Sequence, residues 1–416
     1  MGYFGWRVRR ERLHGRCGFG VIVGMSSERP PNILWIVTTQ WRAQACGYAG
    51  DVNARTPHLD ALAARSVNYA QAVTPHPFGP FARAALMTGV RSPENGVRDY
   101  YDPLPLNART IAHDMNDRGY KTAFFGKWHL AERDPAAALV GETHARMIVP
   151  PEARGGFEFW EGFEGGFLLN DPWLHGSRLR EPVKFEGYQA EVLADRAEEW
   201  WISGGRDDRP WFAVVSLESP HPPYAARAGG IDTYDPEKLV LRNNVTDDLV
   251  LRKKARDELA GYYAHIEATD KCVGLLLSNL RLGEKGGPDI VVFTSVHGDM
   301  HGAHGLFRKG WPHEESVRVP LLVHGAPGST PGYRSDDVVS LIDLPAMTRA
   351  WADGRSWRCE HDRAEISMPS VVALPHQCDR VWSGWRSPTR KEIFNADASP
   401  WLAFDLAEDP FEERPL

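Results

Sequence analysis

The apolar positions of this chain change period along its length. Asn32–Thr38 (NILWIVT) is a continuous apolar run behind a Pro-Pro pair, which predicts a strand buried on both faces. Thr56-Pro57 then sets an N-cap with proline at the first helical position, and Leu59, Leu62 and Ala63 follow at helical spacing. Arg109–Arg118 has a helical pattern and Lys121–Phe125 a strand pattern. Gln189–Trp201 predicts a helix, Trp211–Leu217 a strand and Asp248–Asn279 a long helix. Asp289–Ser295 (DIVVFTS) is a second buried strand, Arg318–His324 another, and Asp343–Trp351 a helix.

Strands that alternate with helices predict an α/β fold, a mainly parallel sheet sandwiched by helices. In such folds ligands lie beyond the carboxyl ends of the strands. Two predicted strand ends stand out, Thr38-Thr39-Gln40 and Ser295-Val296-His297. Pro151–Gly176 is rich in glycine and aromatics and is expected to form a surface loop over the sheet, its Trp and Phe side chains packing the loop. Beyond Ala352 the pieces shorten. Val371–Leu374, Val381–Trp385, Ile393–Asn395 and Trp401–Phe404 predict a small antiparallel C-terminal subdomain. The expected division is an extension over 1–29, the α/β domain over 30–351 and an α+β subdomain over 352–416.

Composition narrows the partners. The 416 residues carry a formal net charge of −7, with 42% hydrophobic and 25% charged residues, as in an ordinary soluble globular protein. The acidic balance, with basic residues clustered only before residue 17, argues against nucleic acid. No apolar run is long enough to cross a membrane. Cys17, Cys46, Cys272, Cys359 and Cys378 are odd in number and form no C-x-x-C pair, as expected of free thiols in a reducing, cytoplasmic setting. The basic stretch Arg7–Arg16 and the apolar Cys17–Met25 imitate a secretory signal only loosely, with Met25 a candidate start; secretion stays open.

Several segments, in order, resemble one family. They are Pro31–Arg42 (PNILWIVTTQWR), Thr56–Ala63 (TPHLDALA), Ala82–Gly89 (ARAALMTG), Gly119–Leu130 (GYKTAFFGKWHL), Ser219–Pro223 (SPHPP), Val291–Gly310 (VVFTSVHGDMHGAHGLFRKG), Glu314–Leu322 (EESVRVPLL) and Phe404–Leu416 (FDLAEDPFEERPL). Over Pro30–Leu416 the chain resembles the type I sulfatases and phosphonate monoester hydrolases of the alkaline phosphatase superfamily. The resemblance implies an alkaline-phosphatase-like sandwich. It also implies a chemistry with three parts. A formylglycine made from Cys or Ser in a C/S-x-P-x-R motif is the nucleophile. A calcium ion held by Asp oxygens activates it. Lys, Arg and His groups hold the substrate's oxygens and protonate the leaving group.

The chain departs from that pattern at its reactive centre. Around the motif it reads Pro77-Phe78-Gly79-Pro80-Phe81-Ala82-Arg83. Counting from Arg83 places Gly79 at the nucleophile, and counting from the proline places Phe78 there; neither can become formylglycine. Thr39 and Val296 stand where relatives carry metal-binding Asp. No metal is therefore expected at the family calcium site. The oxyanion-binding positions survive. Arg83, Lys127, His221 and Lys309 are the candidate ligand-binding residues, and Lys127, His129, His221 and Lys309 the candidate acids and bases. His297, His301 and His304 form an H-x₃-H-x₂-H cluster that would suit a recruited transition metal. Asp299 and Glu314 are candidate partners of the basic groups. The expected function is a non-canonical member that binds a small sulfate, phosphate or carboxylate ligand in a positively charged pocket. Two alternatives stand beside it. One is an enzyme repurposed around the surviving His and Lys residues; the other is a residual sulfate or phosphonate ester hydrolase. The resemblance also admits a homo-oligomer.

Overall fold

The computed structural model describes residues 29–205, 208–372, 374 and 376–416. The expectations for the basic stretch, Met25 and the extension before Arg29 lie outside the described residues. In chain order the strands are β1 Ile33–Thr38, β2 Ser66–Tyr69, β3 Lys121–Lys127, β4 Phe159–Phe163, β5 Trp173–Gly176, β6 Val183–Lys184, β7 Trp211–Ser216, β8 Ile290–Ser295, β9 Leu321–His324 and β10 Arg334–Ser335. They form one sheet in the order β10-β2-β9-β8-β1-β7-β3-β4-β5-β6. The centre, β8-β1-β7-β3-β4, is wholly parallel, and antiparallel pairs flank it.

The period of two in the strands explains the sandwich. In β1, Ile33, Trp35 and Val37 face one core, while Leu34 and Ile36 face the other. The first face packs on α2 (Gly79–Thr88), α3 (Ile111–Asp117) and α6 (Leu344–Ala352) through Phe81, Ile111 and Met347. The second packs on α1 (Pro57–Ala63), α4 (Gln189–Trp200) and the long α5 (Leu249–Asn279) through Leu59, Leu193 and Tyr262. Both faces of the central strands are covered, which is why these runs are apolar without alternation.

One expectation fails in the middle of the chain. Pro151–Gly176 is not a surface loop, since it supplies β4 and β5 to the sheet. Trp160 is fully buried beside Phe124. The glycines that suggested a loop instead allow close backbone approach. A Cβ on Gly162 would lie 2.2 Å from the Gly126 carbonyl, and one on Gly126 would lie 2.1 Å from the Ser216 carbonyl. The aromatics of this stretch divide: Phe157 and Trp160 join the core, whereas Phe167 lines a cavity.

The C-terminal part is a four-stranded antiparallel sheet in the order β11-β12-β13-β14, with β11 Ala364–Met368, β12 Trp382–Arg386, β13 Arg390–Asn395 and β14 Pro400–Asp405. Its first strand is Ala364–Met368 rather than Val371–Leu374. Ala364, Ile366 and Met368 alternate inward, whereas Val372 is a single buried anchor in irregular chain. This sheet shares the first core through Ile366, Trp382 and Ile393. It is also pinned to the rest of the protein by buried ion pairs from Arg386 and Lys391 to Glu314. Glu314 is thus committed to Arg386, Lys391 and Arg318, not to the basic residues of the candidate site.

Candidate functional site

Parallel pairing decides where the chemistry collects. Thr38 pairs with Ser295, Val37 with Ser216, and Gly126 with Ser216. The four strands therefore end level at one edge of the sheet. The residues that follow them, Thr39-Gln40, Val296-His297, Glu218 to His221 and Trp128-His129, are delivered together. A cavity of about 820 Å³ lies there. Lys127, His129, His221, His297 and Lys309 line its polar part, with Thr39, Phe78 and Gly79. Tyr100, Phe167, Pro222, Pro223, Tyr224, Leu139 and Val140 form an apolar wall.

Backbone strain is concentrated at the same edge. Gln40 (φ 73°), His129 (φ 59°), His301 (φ 43°), His304 (φ 55°) and Arg308 (φ 66°) all adopt the left-handed region. A non-glycine residue there is costly and is held only where its surroundings demand it.

Lys127 ends β3, is buried, and places Nζ 2.7 Å from the Glu218 carboxylate and 4.6 Å from the Phe167 ring. Burial lowers its pKa to about 8, with Glu218 acting against the fall. Lys309 donates to the Gln40 amide oxygen at 2.5 Å and to His221 Nε2 at 2.9 Å. Burial and the nearby Lys127 charge lower it to about 7. His221 Nδ1 is bonded to the Pro222 carbonyl at 2.7 Å, and the Phe167 ring stacks on the imidazole at 4.6 Å and 11°. Burial, then the Lys309 and Lys127 charges, hold His221 far below its usual value, so it is neutral. His129 bonds to Arg133, and burial and that guanidinium keep it neutral too.

Arg83 is close to this edge but sits behind it. Its guanidinium donates to the Lys127 carbonyl (2.8 Å), Ser216 Oγ (2.7 Å) and Thr39 Oγ1 (2.8 Å), and it is not among the cavity-lining residues. It ties three strand ends together. Gly79 is the first residue of α2, and Phe78 caps it in extended conformation. A Cβ on Gly79 would stand 3.1 Å from His129 Nδ1. The Phe78 ring meets Tyr100 edge-on at 5.6 Å.

The three histidines of the H-x₃-H-x₂-H cluster separate. His297 bonds through Nδ1 to the Gly298 carbonyl, leaving a buried Nε2. His301 packs on the Tyr262 ring at 4.2 Å. His304 stacks on His313 at 4.2 Å and 21°, beside Glu412. Among the described residues, His304, His313 and Glu412 are the one group of this kind whose ligand atoms lie within 4.8 Å of each other.

Sequence reasoning missed Glu218, which stands one residue before the Ser219–Pro223 segment and gives Lys127 its carboxylate. It also missed Phe167, Tyr100 and Tyr224, whose roles as wall residues depend on loops brought together from far apart. Asp299 was expected to serve a basic group. It instead accepts from Gln40, Tyr224 and the backbone N–H groups of His301 and Arg308. Against the burial that would raise it, His301, Arg308 and those hydrogen bonds hold its pKa at about 2.

The Sulfatase family model matches residues 31–354. This chain belongs to the sulfatase family. An ulvan-active sulfatase of Formosa agariphila is 39% identical over 300 residues, covering 70% of this chain and 56% of that relative. The choline-sulfatase of Rhizobium meliloti is 29% identical over 425 residues, covering 92% of this chain and 81% of the relative. Among solved structures, the putative sulfatase yidJ of Bacteroides fragilis superposes with a TM-score of 0.79 at 23% identity, covering 94% of this chain and 92% of that one. This sulfatase-family protein therefore has the alkaline phosphatase superfamily fold, a helix-sandwiched and mainly parallel sheet with a small antiparallel sheet at its C-terminal end.

Proposed function

We propose that this sulfatase-family protein binds a small anion, a sulfate, phosphate or carboxylate group on an organic body, without the family's ester-cleaving chemistry. The observation that carries this reading is Lys309. Its ammonium is bonded to the Gln40 amide oxygen, in the loop where the family holds its metal, and to His221. A cation of the protein's own thus stands in the floor of the cavity, with Lys127 nearby. Two buried ammonium groups above an apolar wall suit an anionic head on a larger organic ligand.

The donors at this edge do not fit calcium, which needs several free oxygens. The Thr39 hydroxyl donates to the Leu217 carbonyl and accepts from Arg83. Val296 offers no lone pair and is buried. The Gln40 oxygen takes Lys309, and the Asp299 carboxylate takes Gln40, Tyr224 and two backbone N–H groups. At the helix start where the family keeps its nucleophile, Gly79 has no side chain and Phe78 fills the neighbouring space. Calorimetric titration of chelator-treated protein with sulfate, phenylphosphonate and benzoate tests the reading. Saturable binding that weakens in Lys127→Met supports it. Absence of binding by all three anions, or stoichiometric tightly held calcium in the purified protein, contradicts it.

A further inference from the structure

The two lysines of the cavity floor differ in the property that decides amine chemistry. Lys127 has a carboxylate at 2.7 Å. Among the described residues, Lys309 has no carboxylate within ion-pair distance; its partners are an amide oxygen at 2.5 Å and an imidazole nitrogen at 2.9 Å. The imidazole's other nitrogen is committed to the Pro222 carbonyl, which places the ring proton on Nδ1 and turns the Nε2 lone pair toward Nζ. Stacking on Phe167 fixes that ring. Lys309 also faces a space of about 820 Å³ with apolar walls, so an organic ligand can reach it.

An amine is nucleophilic when desolvation and a neighbouring cation, rather than a carboxylate, set its protonation. Lys309 meets those conditions and Lys127 does not. We propose that Lys309 is an amine nucleophile that forms a reversible imine with an aldehyde or ketone carrying an anionic group, with His221 orienting Nζ and relaying its protons and Lys127 holding the anion. This rests on the anion-binding reading above and adds covalent chemistry to it. The unprotonated Nζ adds to the carbonyl carbon, and the C=O π pair moves to oxygen. One nitrogen proton passes by way of His221 Nε2 to that oxygen, giving the neutral carbinolamine. The second nitrogen proton follows the same route to the hydroxyl, which leaves as water, and the C=N bond forms. The sum is amine plus carbonyl to imine plus water, with no change of oxidation state and no further reagent.

The test uses pyridoxal 5′-phosphate as probe and pyridoxine 5′-phosphate, which has no aldehyde, as control. The probe complex is reduced with borohydride and the modified peptides are mapped by mass spectrometry. The expected result is about one adduct per chain, at least about tenfold enriched on Lys309 over any other lysine. The control should compete with it. Lys309→Arg keeps a cation but cannot form an imine, so it should lose the adduct. His221→Asn should slow adduct formation. If the control binds but the adduct spreads over surface lysines or falls on Lys127, the imine proposal is overturned and the anion reading stands. If neither compound binds, both are overturned. Should Lys309→Arg fail to fold, the wild-type peptide map decides alone.

Discussion

The Lys127 ammonium lies 2.7 Å from the Glu218 carboxylate, and both side chains are sealed from solvent. Removing one partner of such a pair leaves the other charge buried without compensation, at a cost of about 3–5 kcal/mol. Glu218→Gln should therefore lower the unfolding midpoint in urea by a corresponding amount. It should also move the pH at which anions cease to bind downward, because Glu218 is what opposes the burial-driven fall of the Lys127 pKa. An unchanged midpoint would mean the pair carries little.

Anion affinity should follow the two lysines. Burial lowers Lys309 from 10.5 to about 7 and Lys127 from 10.5 to about 8. An anion favours the ammonium forms, so affinity is full below about pH 7 and declines as pH rises through both values. The folding contribution has the opposite sign. Between about 7 and 10.5 the unfolded chain binds more protons at Lys309 than the folded one, so the ligand-free protein gains stability from this group as pH rises across that window. Titration calorimetry and urea unfolding across pH 6 to 9 measure the two slopes. A binding step in the ordinary histidine range would instead point to His221 or His297, which burial and nearby lysines keep neutral.

Arg83 should behave as a brace. Its guanidinium bonds the Lys127 carbonyl, Ser216 and Thr39, the ends of three neighbouring strands. Arg83→Met removes three buried hydrogen bonds from a charged donor, at about 1.5–3 kcal/mol each. The expected outcome is a large loss of stability by urea unfolding, with a smaller loss of anion affinity in the folded protein than Lys127→Met produces.

Much of this arrangement was legible in the sequence because the central strands are buried on both faces and therefore apolar throughout. Asn32–Thr38, Trp211–Leu217 and Asp289–Ser295 each contain the strand they predict. Level strand ends then bring Lys127, His221, His297 and Lys309 to one cavity. What failed did so for local reasons. Glycines in Pro151–Gly176 look like loop formers but serve close strand approach at Gly162. Val371 and Val372 are β-branched yet lie outside any strand, whereas Ala364–Met368, with its alternating polar residues, pairs along its whole length with Trp382–Arg386. The spacing of His297, His301 and His304 could not show that three left-handed or bent backbone segments turn them in different directions.

The loss of carboxylates at Thr39 and Val296 can be reversed as a test. Calcium should leave the unfolding temperature of the wild-type protein unchanged. Thr39→Asp combined with Val296→Asp should be less stable without calcium, since Val296 is fully buried. It should regain about 2.7 kcal/mol when calcium is present at roughly a hundred times its dissociation constant. Thermal unfolding of both proteins with and without calcium measures this.

Binding without turnover is measured in one titration, p-nitrophenyl sulfate into chelator-treated protein at pH 6.5, followed by heat and by absorbance together. The expected result is saturable binding with one site per chain, no released p-nitrophenol, and no change when calcium is added. Continuous calcium-dependent release of p-nitrophenol over many turnovers would contradict an anion-binding site without ester-cleaving chemistry.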